Sequence, residues 1–338
     1  MATNKSYSVS RKKEYRATEY IEAIRSGNRF MLAQALTLLE SKKNTHRVLA
    51  NEILQGCLPF SGNAIRLGIT GVPGVGKSTF IESFGELLVR KNKKIAILAV
   101  DPSSSLSKGS ILGDKTRMDV LSNHANAFIR PTPSSGTLGG VAQNTRESMI
   151  LCEAAGYDYV IIETVGVGQS ETEVAALVDC FILLMLAGAG DDLQGVKRGI
   201  MEMAQLFVIN KSDGENTKKA KQAELLLKSA LHLFPVPENN FLPEVYKCSA
   251  TDKTGLEAIE SAIEKFISKT KENGSFEINR TRQNLHWFDV QFEKGLVSRA
   301  LQNHDLNALR KKLRSEVETS KLNPFEASEL LLNQIGLK

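Results

Sequence analysis

Apolar positions recur at helical spacing through residues 1–60 and in short unbroken runs after residue 64, and this change of period predicts a change of architecture. Residues 17–24 and 30–39 carry apolar side chains on one helical face, separated by Ser26-Gly27-Asn28, and residues 47–54 continue the pattern. Residues 1–60 therefore read as an N-terminal helical extension. Aliphatic runs follow at 65–70, 94–101, 159–163, 179–186, 206–210 and 245–249, with amphipathic segments between them. Runs that are apolar throughout, rather than alternating, suit strands buried on both faces and joined by crossover helices. The pattern predicts a doubly wound, mostly parallel α/β sheet over residues 61–270, with ligands at the carboxyl ends of its strands. Lys271-Glu272-Asn273-Gly274-Ser275 reads as a linker into a C-terminal helical arm, 271–338. Helices are expected there at 286–301, 306–318 and 324–335, with Pro324 after Asn323 suited to a first turn.

Composition narrows the partners. At 338 residues and 42% hydrophobic content the chain can build one large core or two modest ones. A net charge of +5, spread along the sequence, argues for neither a nucleic-acid nor a membrane partner. The apolar run 181–189 is far shorter than the roughly 20 residues of a membrane-spanning helix. No apolar segment follows the early Lys5, Arg11, Lys12 and Lys13, and Glu14, Glu19 and Glu22 weigh against a transit segment. Cys57, Cys152, Cys180 and Cys248 are scattered, without CxxC spacing, as expected of small buried hydrophobes in a reducing compartment. The expectation is a cytoplasmic protein.

The chemistry lies at the predicted strand ends. Gly71-Val72-Pro73-Gly74-Val75-Gly76-Lys77-Ser78 follows the first strand and runs into a helical pattern beginning at Thr79. Glycines at these positions let the loop curl so that its N–H groups face phosphate oxygens, and the helix N-terminus adds its positive dipole end. Lys77 is placed to reach the β and γ phosphates and the Ser78 hydroxyl to ligate magnesium. A second strand stops at Val100-Asp101-Pro102, and a third at Glu163-Thr164-Val165-Gly166. Glu163 stands where nucleotide hydrolases put a carboxylate near the metal or the attacking water. Asp101 is a further metal candidate; Asp114 serves equally well as a ligand or as a helix cap. Val167 follows Gly166, and the nearest glutamine is Gln169, so the water-positioning residue is absent or displaced and hydrolysis by the isolated chain should be slow.

The fourth strand end, Asn210-Lys211-Ser212-Asp213, decides the base. A carboxylate at Asp213 accepts from the ring N–H and amino group of guanine together. Adenine would leave it unpaired, at about 1–3 kcal/mol or more. Lys211 would lie along the base and Asn210 would tie this loop to the phosphate loop, while Ser249, Ala250 and Thr251 offer N–H groups to the guanine carbonyl. GTP is therefore expected rather than ATP. The loop from Gly188 through Asp191, Asp192 and Gln194 to Lys197 ends a strand beside the nucleotide and suits either a switch or a solvated turn.

With these residues assembled, the chain resembles the methylmalonyl-CoA mutase-associated GTPases, the ArgK/MeaB-like P-loop proteins also called arginine/ornithine (LAO/AO) transport system kinases. The likeness runs over nearly the whole chain. It rests on residues 66–74, 100–104, 109–118 and 163–171, which include Gly113-Asp114-Lys115-Thr116-Arg117 and Gly166-Val167-Gly168-Gln169-Ser170-Glu171. The resemblance implies a GTP-hydrolysing chaperone that escorts adenosylcobalamin to its mutase, protects the enzyme and helps exchange damaged cofactor, without binding cobalamin itself. It implies a homodimer joined through the C-terminal arm. It assigns Lys77, Asp101 and Glu163 to catalysis, and Ser78, Asp101, Asp114 and Glu163 to Mg2+. It makes the 188–201 loop, with Lys197, a switch that contacts the mutase. A small-molecule kinase is the alternative, but no arginine-recognition site is identifiable. The Cys/His clusters of nickel-inserting GTPases are absent from the sequence.

Overall fold

The computed structural model describes residues 15–41, 43–101, 118–133, 140–164, 170–187 and 198–335, with the backbone alone at 100, 101, 132, 133, 140–143 and 170. The aliphatic runs form one parallel sheet of seven strands: β1 (Ile65–Gly71), β2 (Ile95–Asp101), β3 (Ala127–Pro133), β4 (Tyr159–Glu163), β5 (Cys180–Leu186), β6 (Leu206–Asn210) and β7 (Glu244–Lys247). Their order is β3-β2-β4-β1-β5-β6-β7. The α/β reading of the pattern holds, with one strand added. The sequence pattern misses β3 because Pro131 and Pro133 interrupt it. Proline cannot donate to a ladder, and it is tolerated here because β3 is an edge strand, bonded to β2 alone.

Alternate residues of each strand feed two cores, one on each face. On one face Ala96, Leu98, Val160, Ile162, Phe181 and Phe207 meet Ile24, Leu32, Leu36 and Ile53 from α1 (Ala17–Arg25), α2 (Arg29–Leu39) and α3 (Asn44–Cys57). The same core takes Leu151 of α6 (Gly140–Ala154), Ile200 of α8 (Arg198–Met203) and Leu227 of α9 (Asn216–Leu231); α5 (Asp119–Ser122) precedes β3. The N-terminal helices pack on one another and on α6, and Glu40 at the end of α2 meets Arg130 of the edge strand at 2.6 Å, so their apolar faces are explained by that packing. On the other face Leu67, Ile69, Ile97, Ile161 and Val208 meet Phe80, Phe84 and Leu88 of α4 (Lys77–Arg90) and Ile259, Ile263 and Phe266 of α10 (Leu256–Glu272). Phe80 and Phe84 stack at 5.6 Å between ring centroids. Each such fully buried side chain contributes roughly 1.5–3 kcal/mol relative to exposure.

Two compact units divide the chain, Met1–Phe276 and Glu277–Lys338. The expected linker at 271–275 is a turn of Asn273 and Gly274 alone, because α10 continues to Glu272 and α11 (Ser275–Gln302) starts directly after it. The Asn273 carboxamide accepts from the Ser275 N–H at 3.0 Å, which stops one helix and starts the next. In the second unit α12 (His304–Glu318) is capped by Asn303, whose Oδ1 accepts from Asp305 and Leu306 N–H, and α13 (Pro324–Ile335) packs on it. Leu306, Leu313 and Ala327 are buried there.

Candidate active site

Strand order reverses on either side of β1, whose neighbours are β4 and β5, so the crevice of the sheet opens at the end of β1. There the chain leaves Gly71 with φ +152, and a Cβ at this position would lie 2.5 Å from the Leu184 carbonyl of β5. Gly76, at φ +92, is the N-cap of α4, and a Cβ there would lie 2.9 Å from Asn210 Nδ2. Only glycine fits both places. No side chain caps α4, so its first-turn N–H groups face outward as an anion site. Lys77 turns its ammonium inside this curl, donating to the carbonyls of Gly71 at 2.7 Å and Val72 at 3.4 Å. Burial pushes Lys77 below its ordinary pKa, while the carboxylates of Glu163 and Glu171 pull it back up.

Ser78 and Glu163 meet beside the loop. The Ser78 hydroxyl donates to Glu163 Oε1 at 3.0 Å, joining the first turn of α4 to the end of β4. The parallel register Ile69↔Glu163 sets that height. Ala99 of β2 is also level with Glu163, so the Asp101 backbone lies two residues further along the adjacent strand. The Asp101 side chain, Asp114, Gly188, Asp191, Asp192, Gln194 and Lys197 lie outside the described residues.

The base-side loops are tied to the phosphate loop by one carboxamide. Asn210 Nδ2 donates to the Val75 carbonyl at 2.9 Å, and its Oδ1 accepts from the Ala250 N–H at 3.1 Å and from the Cys248 thiol at 3.5 Å. Lys211, at φ +55, donates to the Gly74 carbonyl at 2.8 Å. Ser83 of α4 donates to the Ala250 carbonyl at 2.7 Å. The N–H groups of Ser249 and Ala250, expected to face the base, serve inside the protein, on Thr254 O and Asn210 Oδ1. Thr251 is exposed at the loop tip, and so are Thr79, Pro73 and Gly74 along the phosphate loop. The Asp213 carboxylate, half-buried, makes no hydrogen bond or ion pair with any described residue.

Sequence reasoning passed over three residues. Glu171 stands in α7 (Ser170–Ala175) where a first-turn acid looks like a helix-dipole partner, yet it is fully buried and its charge acts on Lys77. Thr70 and Thr164 flank the phosphate loop and Glu163, and they are fully buried with hydroxyl oxygens 2.8 Å apart.

A family model described as "Methylmalonyl Co-A mutase-associated GTPase MeaB" matches residues 32–305. The chain belongs to that family. "GTPase ArgK" of Escherichia coli (strain K12) is 49% identical over 306 residues, covering 90% of this chain and 92% of that protein. "Methylmalonic aciduria type A homolog, mitochondrial" of Mus musculus is 40% identical over 316 residues, 90% of this chain and 76% of that protein. The crystal structure titled "LAO/AO transport system kinase" has 41% sequence identity and a TM-score of 0.74, covering 97% of this chain and 100% of that one. As a mutase-associated GTPase the chain binds guanine nucleotide and hydrolyses GTP. Among the described residues no helix is long and apolar enough to cross a membrane.

Proposed function

We propose that this mutase-associated GTPase is a nucleotide-driven chaperone of an adenosylcobalamin-dependent mutase, methylmalonyl-CoA mutase or a relative, and that it hydrolyses GTP with Mg2+. Membership of the mutase-associated family is the observation that carries the reading. The rim supports the hydrolytic part: a hydroxyl and a carboxylate 3.0 Å apart are hard oxygen donors of the kind Mg2+ prefers. Ser78 and Glu163, with Asp101 and Asp114, would hold the ion, which when bound neutralises charge on the β and γ phosphate oxygens. Lys77 leaves the loop carbonyls for those phosphates, Asp213 reads guanine, and Ser249, Ala250 and Thr251 close over the base.

The loop from Gly188 through Asp191, Asp192, Gln194 and Lys197 is read as the part that reports nucleotide state to the mutase. The C-terminal arm is read as the homodimer contact: Leu285, Phe288, Phe292 and Leu296 recur at helical spacing along α11 and are all exposed. In this reading the protein works in the cytoplasm and leaves cobalamin to its client. Calorimetry with the cognate mutase tests it. Heat of binding that differs between the GTP-analogue and GDP forms is expected; no heat in any nucleotide state overturns the chaperone role. A single incubation with labelled GTP and arginine checks the kinase alternative, with labelled phosphate and no phosphoarginine expected.

A further inference from the structure

We propose that the hydroxyl pair Thr70–Thr164 is a positioning device for GTP hydrolysis, holding Glu163 at its reach from Ser78; this rests on the assignment of Ser78 and Glu163 to the hydrolytic site. Thr70 is the residue before the phosphate loop, and Thr164 is the residue after Glu163. The Thr164 N–H donates to the Ile69 carbonyl at 3.0 Å, the rung beyond the Ile69↔Glu163 pair. Its hydroxyl donates to the Thr70 hydroxyl at 2.8 Å and stands 3.4 Å from the same Ile69 carbonyl. Both side chains are fully buried. A buried polar pair at the last rung needs a reason, because valine would fill the same volume.

The reason lies in what is attached on either side. Successive strand residues point to opposite faces, so Thr164 faces one core while Glu163 faces α4 and Ser78. Fixing the Thr164 backbone and side chain to β1 therefore fixes the direction in which Glu163 leaves the strand. Among the described residues the pair is the last lateral tie between β4 and β1. Two hydroxyls bond only in a narrow arc, whereas two methyl groups pack over a range of offsets. A hydrogen bond at this point sets the separation of the loop and the carboxylate to tenths of an ångström, the precision that hydrolytic geometry requires.

Three variants test this in the full chain: Thr164→Val, Thr164→Ser, and the double variant Thr70→Val with Thr164→Val. Thr164→Val should lower kcat by roughly 10–100-fold, with KM for GTP and affinity for a fluorescent GDP analogue within about threefold. Thr164→Ser keeps the hydroxyl and should recover most of kcat. The double variant removes both polar partners together, so its melting temperature should return close to that of the parent while kcat stays low. Mn2+ titrated into the GDP complex by electron paramagnetic resonance should bind about tenfold more weakly in both valine variants. If the double variant recovers kcat along with stability, the pair is structural only and the proposal fails. If Thr164→Val hydrolyses GTP at the parent rate, it fails outright. A parent protein that hydrolyses GTP without any divalent ion would overturn instead the metal assignment of Ser78 and Glu163.

Discussion

At its amino end β1 carries Arg66, whose guanidinium meets Glu153 at 2.7 and 3.0 Å while its backbone N–H is held by Asp179 at 2.8 Å. Glu153 also accepts from the Gly62 N–H at 2.7 Å, and its side chain is wholly buried. At its carboxyl end the same strand releases the phosphate loop, where Lys77 is also buried but faces backbone carbonyls, and the first turn of α4 has no cap. Both ends bury charge, and both carry the desolvation that this entails. The amino end answers the Arg66 guanidinium with the Glu153 carboxylate inside the protein. The carboxyl end answers the Lys77 ammonium with loop carbonyls alone and leaves the first turn of α4 and the Asp213 carboxylate without a side-chain partner among the described residues. A buried polar cluster that is closed on itself is structural; one left open at the end of strands is a binding site.

Substitutions at the two ends should therefore fail in opposite ways. The largest effect is expected from Glu153→Ala, which strands Arg66 beneath α6 and should cost about 3–5 kcal/mol of stability. A thermal melt checks it, and GTP turnover well below the transition should be close to that of the parent. A melt within 2 °C or so of the parent would mean that the closed cluster contributes little. Lys77→Ala should lower kcat/KM for GTP by roughly 10²–10³-fold, measured by phosphate release. Its melting temperature should hold or rise, because a desolvated ammonium has been removed. A large drop in stability there would erase the contrast between the ends. Asp213→Asn should reduce the preference for GTP over ATP by roughly 10–100-fold, read from competition against a fluorescent GDP analogue. The smallest effect concerns the thiols. Burial pushes Cys57 up to about 11 and Cys248 up to about 12, and Cys152 and Cys180 higher still. The folded protein at pH 8 should react with Ellman's reagent more than roughly tenfold slower than the unfolded chain. Rapid labelling of Cys248 would show that the base-side loops open to solvent.

Much of this was legible in the residues. The phosphate loop, Glu163 and Asn210-Lys211-Ser212-Asp213 each follow an aliphatic run, and in a parallel sheet the ends of such runs share one rim. The tie from Asn210 to the phosphate loop, expected from the motif, is present at 2.9 Å. Other features were hidden. Pro131 and Pro133 disguise β3, since their acceptability depends on its place at the sheet edge. Glu171 stands in the first turn of α7, where its residue type alone does not show that the fold seals it. The occupied N–H groups of Ser249 and Ala250 follow from how three loops meet, which no one of them encodes.

The amino-acid sequence by itself determined six of the seven strands, the glycine-rich loop after β1, the Asn210-Lys211-Ser212-Asp213 turn after β6 and the family, because each depends on residue types within a few positions of one another. Tertiary structure alone decided that Glu171 is buried, that Thr70 meets Thr164, and that Arg66 closes on Glu153, 87 positions away. These are pairings across strands and helices far apart in the chain, and their geometry is set by sheet register and by the packing of two cores, quantities that exist only after the chain has folded.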